Sequence, residues 1–190
     1  MRGWDELMAW HREHGSLVPE LLQPPVSRPR MSAAETELGF ELHEDLHVLY
    51  ALGDGVDVPA VASSHGAIAQ IAPRIEFPGL AESSRRYRSL DDQAEASDVD
   101  DWPPWNRTWF PVFTIGGGEV LAVDCSSTSG DLVHVHWEEG LADVVAPDLD
   151  TWLARTSERL GQTDTEMFRG LTPRILNEDV TSAFFLQPIA

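Results

Sequence analysis

The chain of 190 residues contains no lysine and a single cysteine, Cys125. Without lysine there is no P-loop lysine to hold a nucleotide phosphate, and no amine side chain to form a Schiff base with a carbonyl or with pyridoxal phosphate. One cysteine can build neither an internal disulfide nor a zinc ribbon, which excludes the disulfide-rich secreted class. Because free cysteine is usually a small buried hydrophobe, we interpret Cys125 as a packing residue rather than a nucleophile.

Basic side chains are scarce: 13 arginines stand against 32 acidic residues, for a formal net charge of −19. A surface this negative repels phosphate, so we expect a basic protein partner and no nucleic acid.

Long apolar runs are also missing. No stretch reaches the roughly eighteen apolar residues of a membrane span, and charges interrupt the first twenty positions where a signal peptide would need an apolar run. We therefore expect a cytoplasmic protein with no membrane association.

The chain does have enough apolar material for a core, with 42% apolar residues and seven tryptophans. Its first third shows the spacing of amphipathic helices. The first predicted helix carries the stripe Trp4, Leu7, Met8 and His11 and stops at Gly15. Two more are predicted, one from an N-cap at Ser27 to Gly39 and one from Glu44 to Leu52.

The middle of the chain gives weaker patterns. Residues 67–72 and 86–90 are predicted as short strands, and residues 91–101 as an acidic loop. That loop leads into Trp102-Pro103-Pro104-Trp105, where two adjacent prolines exclude a helix.

Three short runs rich in β-branched and aromatic residues follow: Trp109–Ile115, Val120–Cys125 and Leu132–Trp137. Short turns rich in glycine or serine join them, so we predict an antiparallel meander with a further short strand at 143–145. A helix then begins at an N-cap, Asp148, and carries a regular apolar stripe.

Helices, then strands, then a helix without βαβ alternation predict an α+β domain with a mostly antiparallel central sheet. We assign this domain to residues 1–161. Residues 162–190 form a C-terminal extension of uncertain conformation, in which Ala183–Leu186 is apolar enough to add an edge strand or to dock in a groove.

Two histidine patterns raise the question of a metal site. His43-Glu44-Asp45-Leu46-His47 fits the H-E-x-x-H pattern of zinc peptidases, in which two imidazoles bind zinc and the glutamate activates water. However, His43 falls at the predicted helix start, and no local motif supplies a third ligand.

His134 and His136 form the second pattern. They project from one face of a predicted strand, beside Asp124 on the preceding strand. Because solvated histidines explain both patterns, we predict no metal and no cofactor.

Acidic and aromatic residues adjoin just before the first clear strand. Asp98, Asp100 and Asp101 precede Trp102 and Trp105. Aromatic anchors rimmed by one sign of charge suit an interface with a basic protein, so we predict these five as partner-binding residues. The competing interpretation is a solvated loop above buried tryptophans.

Several short motifs occur in a characteristic order. They are Leu22–Pro25, Ser27 at a helix start, Glu37–Leu42, Glu44-Asp45-Leu46, Leu52–Gly55, Trp109–Val112, Val120–Asp124, Val144–Pro147 and Trp152-Leu153. In this order they resemble the SUKH superfamily, the Smi/Knr-type proteins, over about residues 4–160. The chain departs from the family at Leu42-His43, where Leu-Pro commonly precedes Glu-Asp, and this favours a structural role for His43.

The resemblance implies an α+β fold with a central sheet packed by helices, and no catalytic activity. The superfamily comprises fungal cell-wall-assembly regulators and bacterial immunity proteins, which typically neutralise a cognate toxin, often a nuclease. An acidic inhibitor facing a basic toxin agrees with the net charge. The alternatives are a regulatory scaffold of a cell-wall or signalling assembly, and a zinc hydrolase using His43, Glu44 and His47.

Overall fold

A computed structural model describes residues 1–16, 18–57, 70–97, 105–116, 118–137 and 139–162, together with the backbone of residues 171–178 and 181–188. The helices in these ranges are α1 (Arg2–Glu13), α2 (Val18–Leu21), α3 (Arg28–Leu38), α4 (Glu44–Leu52), α5 (Leu80–Glu95) and α6 (Leu149–Leu160). The strands are β1 (Ile75–Glu76), β2 (Trp109–Ile115), β3 (Val120–Asp124), β4 (Leu132–His136), β5 (Leu141–Ala146), β6 (Leu171–Glu178) and β7 (Thr181–Pro188).

The main sheet is an antiparallel meander of five strands in the order β1-β2-β3-β4-β5. The α+β class and the predicted meander are therefore confirmed. The second and third predicted strands each end one residue earlier than expected, at Asp124 and at His136. The short strand predicted at 143–145 is part of β5.

Local capping residues bound three of the helices at the expected places. Ser27 precedes α3, and Gly39 ends it with a left-handed φ of 82° that glycine adopts without strain. His43 caps α4 because its side chain accepts a hydrogen bond from the backbone N–H of Asp45. Asp148 caps α6 in the same manner, through the N–H of Thr151.

Three predictions for the middle of the chain were wrong. Residues 86–90, predicted as a strand, and residues 91–95, predicted as loop, both lie in α5. Ala72 makes only an isolated bridge to Ile75, so residues 70–72 are not a strand. The buried side of α5 includes Ser83 and Ser84, and these small polar residues obscure the helical period of its apolar residues. Residues 67–69 and 98–104 lie outside the described residues.

The main core lies between one face of the sheet and the helices. Phe110 and Phe113 of β2 point into it and make ring contacts with Tyr50, Phe77 and Trp152. A smaller apolar cluster lies on the opposite face, where Leu90 of α5 packs on the sheet. Its other buried members are Val120, Val133 and Val135.

The first and last helices of the domain pack against each other. The backbone N–H of Gly3 in α1 donates to Asp150 Oδ1 in α6 at 2.7 Å. A Cβ atom at Gly3 would collide with the backbone of Asp150 and Ala154, so glycine permits this close approach. Trp4, Leu7, Met8 and His11 are buried, as the stripe predicted.

The C-terminal extension contains a two-stranded antiparallel sheet of its own, formed by β6 and β7. Ala183–Leu186 lies within β7 and pairs with β6, so it does not extend the edge of the main sheet. None of the helices in the described ranges is both long and apolar enough to cross a membrane.

Candidate functional site

Three tryptophans pack on the sheet face that α5 covers. Trp105, Trp109 and Trp137, here called the tryptophan cluster, are half-buried and contact the smaller apolar cluster. The Trp105 ring lies 5.9 Å from Tyr87 and 6.1 Å from Trp109, measured between centroids. The cluster therefore combines packed aromatic rings with surface that stays accessible.

Acidic residues at the end of α5 lie close to Arg107, two residues after Trp105. Arg107 lies 3.6 Å from Asp91 and 3.5 Å from Glu95, while Asp92 is exposed. Of the five predicted partner-binding residues, Trp105 lies in the described part of the chain. Asp98, Asp100, Asp101 and Trp102 lie outside it.

The H-E-x-x-H residues are directed to separate partners. His43 Nδ1 accepts from the N–H of Asp45 at 3.2 Å, and its Nε2 lies 3.4 Å from the carbonyl oxygen of Thr128. His47 Nε2 donates to Glu35 Oε1 at 2.9 Å. His43 therefore serves as a helix cap, and His47 forms a surface hydrogen bond with Glu35.

His134 and His136 do share one face of β4, as the alternation of the strand predicts. Their ring centroids are 3.7 Å apart. The acidic residue beside them is Glu119, whose Oε2 accepts from His134 Nε2 at 2.7 Å and lies 3.9 Å from His136 Nδ1. Burial lowers the pKa of His134, an effect that the Glu119 hydrogen bond opposes.

Asp124 was the wrong carboxylate to associate with these histidines. The β3–β4 register pairs Leu121 with His134, which leaves Asp124 near the other end of the ladder. Asp124 accepts hydrogen bonds from Thr108 and Ser126. Burial acts to raise the pKa of Asp124, but these hydrogen bonds outweigh it and lower the pKa. Its role is to hold the turn that follows β3.

Cys125 follows Asp124 and is half-buried. Burial raises the pKa of its thiol to about 11, so the sulfur is protonated at neutral pH. A thiolate is the reactive form of cysteine, and this site therefore lacks the activation that a nucleophile needs.

A surface groove of about 350 Å³ runs between α3 and α5. Three arginines line it, and each has an acidic partner: Arg30 with Asp54 at 3.0 Å, Arg88 with Glu37 at 3.2 Å, and Arg85 with Glu82. The positive charge of this groove is thus balanced within the protein.

Comparison with known proteins decides the family. The SMI1 / KNR4 family (SUKH-1) matches residues 25–155, which is more than half of the chain. The chain belongs to the SMI1/KNR4 family. No curated protein matches it.

The SMI1/KNR4 match covers α3 to the middle of α6, with all five strands of the main sheet. Helices α1 and α2 precede the matched residues, yet α1 contributes Trp4, Leu7 and Met8 to the same core. The folded unit is therefore larger than the segment that carries the family motifs.

Sequence reasoning predicted part of β5 as a strand but missed that it is an exposed edge of the main sheet. Leu141, Val144 and Val145 are 52%, 64% and 36% exposed. Val144 lies on the same face of β5 as Ala142, which packs against the smaller apolar cluster beside the tryptophan cluster. An exposed apolar edge strand is a common docking surface for another chain. The signal was present as the run Val144-Val145, but only the strand order shows that β5 is an edge.

Proposed function

We propose that this chain is a non-catalytic protein-binding domain and a bacterial immunity protein that neutralises a cognate toxin in the cytoplasm by binding its surface. Membership of the SMI1/KNR4 family is the observation that carries the proposal. The non-catalytic part of the proposal is supported by the environments of three candidate residues, two histidines and the cysteine. His43 caps a helix, His47 pairs with Glu35, and the Cys125 thiol is protonated.

The net charge supports a basic partner, such as a nuclease toxin. A formal charge of −19 creates a negative potential that extends beyond the surface and speeds the approach of a positive protein. Such steering weakens as salt rises, because the Debye length falls from about 10 Å at 0.1 M to about 3 Å at 1 M. The association rate is therefore the quantity on which this proposal depends.

We propose that the interface includes Asp98, Asp100, Asp101, Trp102 and Trp105. The exposed part of the tryptophan cluster supports it, because tryptophan supplies large contact area at the centre of an interface. Exposed Val144 of β5 lies on the same face of the sheet and offers additional contact area.

The test starts from the genes beside the one that encodes this chain. Each neighbouring product is expressed in a laboratory bacterium with and without this chain, and growth is recorded. We expect one neighbour to be toxic alone and harmless in the presence of this chain. The purified pair should form a stoichiometric complex whose association rate falls steeply between about 0.05 and about 0.5 M NaCl.

Two triple variants with equal charge changes locate the interface. In Asp98→Asn/Asp100→Asn/Asp101→Asn, we expect association to slow at least about tenfold at low salt. The matched control, Asp5→Asn/Glu13→Gln/Glu20→Gln, changes exposed acids of α1 and α2 and should slow it less than about threefold. Trp105→Ala should mainly speed dissociation, since it removes contact area rather than charge.

If the two triple variants slow association equally, the interface lies elsewhere, although the partner is still attracted by the net negative charge. Absence of any toxic neighbour, with stable association of this chain with a cell-wall or signalling complex, would instead support the regulatory scaffold.

A further inference from the structure

Glu119, His134 and His136 form a compact group of three potential metal ligands. One ligand atom from each lies within 4.8 Å of the ligand atoms of the other two. Among the residues that the structure describes, no other group of three or more histidine, cysteine or acidic residues meets this condition. From the sequence we predicted no metal here, because solvated histidines on a sheet face explained the pattern, and the only neighbouring carboxylate considered was Asp124.

The main sheet brings the three residues together, with two on β4 and Glu119 directly before β3. His134 and His136 are alternate residues of β4 and therefore project from the same face. Val120 pairs with Val135, so Glu119, one residue earlier, lies beside His136. The backbone N–H of Ile115 donates to the Glu119 carbonyl at 2.9 Å, which fixes Glu119 at the end of the β2–β3 hairpin.

The donor atoms have the spacing that a small tetrahedral ion requires. With metal–ligand distances of about 2.0–2.1 Å, two ligand atoms on zinc are about 3.3 Å apart. The observed distances from Glu119 Oε2, 2.7 Å to His134 Nε2 and 3.9 Å to His136 Nδ1, lie on either side of this value. Because no two of the three ligand atoms are more than 4.8 Å apart, side-chain rotations that shorten the wider separations by up to about 1.5 Å bring all three atoms to one ion.

The chemistry of the group also suits zinc. Two imidazoles and one carboxylate are a common zinc ligand set, with water in the remaining position. The three side chains are 20–30% exposed, so the site is reached from solvent but is partly shielded from it. Asp143 lies opposite His134 in the β4–β5 ladder and adds negative charge for a divalent cation.

We propose that Glu119, His134 and His136 bind one Zn²⁺ ion, which joins the β2–β3 hairpin to β4. On binding, the neutral His134 ring carries its proton on Nδ1 instead of Nε2, so that the Nε2 lone pair and Glu119 Oε2 both become ligands of the ion. Water fills the fourth position. The proposed site stands independently of the proposed toxin partner.

The test uses the full chain without a histidine tag, dialysed against chelator. Isothermal titration with ZnCl₂ near pH 7.5 should show one saturable equivalent, and Co²⁺ in its place should give the intense visible absorption of tetrahedral coordination. Saturating zinc should also raise the thermal unfolding midpoint, because the ion binds the folded state.

Variants separate this site from adventitious binding. His136→Ala and Glu119→Gln should each weaken zinc binding at least about tenfold and abolish the cobalt spectrum. His47→Ala is the matched control, because His47 and Glu35 form a similar pair at 2.9 Å without a second imidazole. This control should bind zinc as the unchanged protein does.

Histidine NMR spectra of the unchanged protein provide a readout that needs no variant. Zinc should shift the ring signals of His134 and His136 at one equivalent and leave those of His47 in place. The proposal is wrong if zinc shows no saturable binding in the titration, if it shifts other histidines instead, or if His136→Ala binds zinc with unchanged affinity.

Discussion

A single buried histidine connects α1 to the residues that precede β1. His11 Nε2 lies 3.1 Å from the carbonyl oxygen of Ile71, and Nδ1 lies 2.9 Å from Ser16 Oγ. A carbonyl only accepts hydrogen bonds, so Nε2 carries the proton, and Nδ1 of the neutral ring accepts from the Ser16 hydroxyl. Burial lowers the pKa of His11 to about 4, although the Ile71 carbonyl opposes this effect. The folded protein therefore holds His11 neutral near neutral pH.

We expect acidification to destabilise the fold through His11. The unfolded chain takes up a proton near the ordinary pKa of 6.5, whereas the folded chain does so only near 4. Stability is therefore complete above pH 6.5 and falls as the pH passes down through this window. Between about pH 7.5 and about pH 5 the loss from His11 is about 2 kcal/mol. Urea unfolding followed by tryptophan fluorescence at both pH values measures it.

The variant His11→Gln isolates this contribution. Glutamine retains a donor for the Ile71 carbonyl but does not titrate, so the variant should be less stable at pH 7.5 and lose less stability on acidification. The same loss in both proteins would assign the pH dependence to other groups, such as His134, whose pKa burial also lowers.

At the scale of elements, α5 is capped from a distance. Asp54, after α4, accepts a hydrogen bond from the N–H of Leu80 at 2.7 Å through Oδ1. Its Oδ2 lies 3.0 Å from the guanidinium of Arg30 in α3. Gly79, which directly precedes α5, has no side chain to perform this task. One carboxylate thus fixes the first turn of α5 and its position relative to α3.

We expect Asp54→Ala to lower the free energy of unfolding by about 1–2 kcal/mol, because it leaves the Leu80 N–H without its acceptor. Asp54→Asn retains an acceptor oxygen and removes only the charge. Since the Arg30 side chain is 55% exposed, that variant should lose less than about 1 kcal/mol. Urea unfolding of both proteins measures the difference. Equal losses would show that the ion pair, not the cap, holds α5.

The same contact explains what sequence reasoning could and could not predict. Helices α3 and α6 were predicted because Ser27 and Asp148 lie directly before them, and α4 because its apolar residues recur with the helical period. The capping residue of α5, Asp54, is 26 residues away from Leu80 in the sequence. Two serines also occupy the buried side of α5, so no local sequence pattern predicted this helix. For the metal ligands, strand alternation placed the two histidines on one face. Choosing Glu119 over Asp124 required the register of β3 and β4, which depends on the hairpin and not on either strand alone.

At the scale of the whole molecule, α1 and α6, the first and last helices of the predicted domain, pack against each other. The core contains Trp4 and Leu7 from α1 as well as Leu149, Leu153 and Leu160 from α6. A helix that precedes the family match therefore covers the helix at its end. This supports our proposal that residues 1–161 are one domain, because neither helix would bury its apolar face without the other.

Two truncated chains test the two boundaries of the proposed domain. We expect residues 1–162 to unfold in one cooperative urea transition, because this fragment keeps α1, α6 and the main sheet together. Residues 15–190 lack α1, which leaves buried residues such as Leu153 exposed, and should be destabilised by at least about 3 kcal/mol or fail to fold. Circular dichroism and the urea midpoint distinguish the two fragments. A cooperative 15–190 fragment as stable as the full chain would show that α1 is an appendage, whereas loss of cooperativity in 1–162 would show that the extension belongs to the domain.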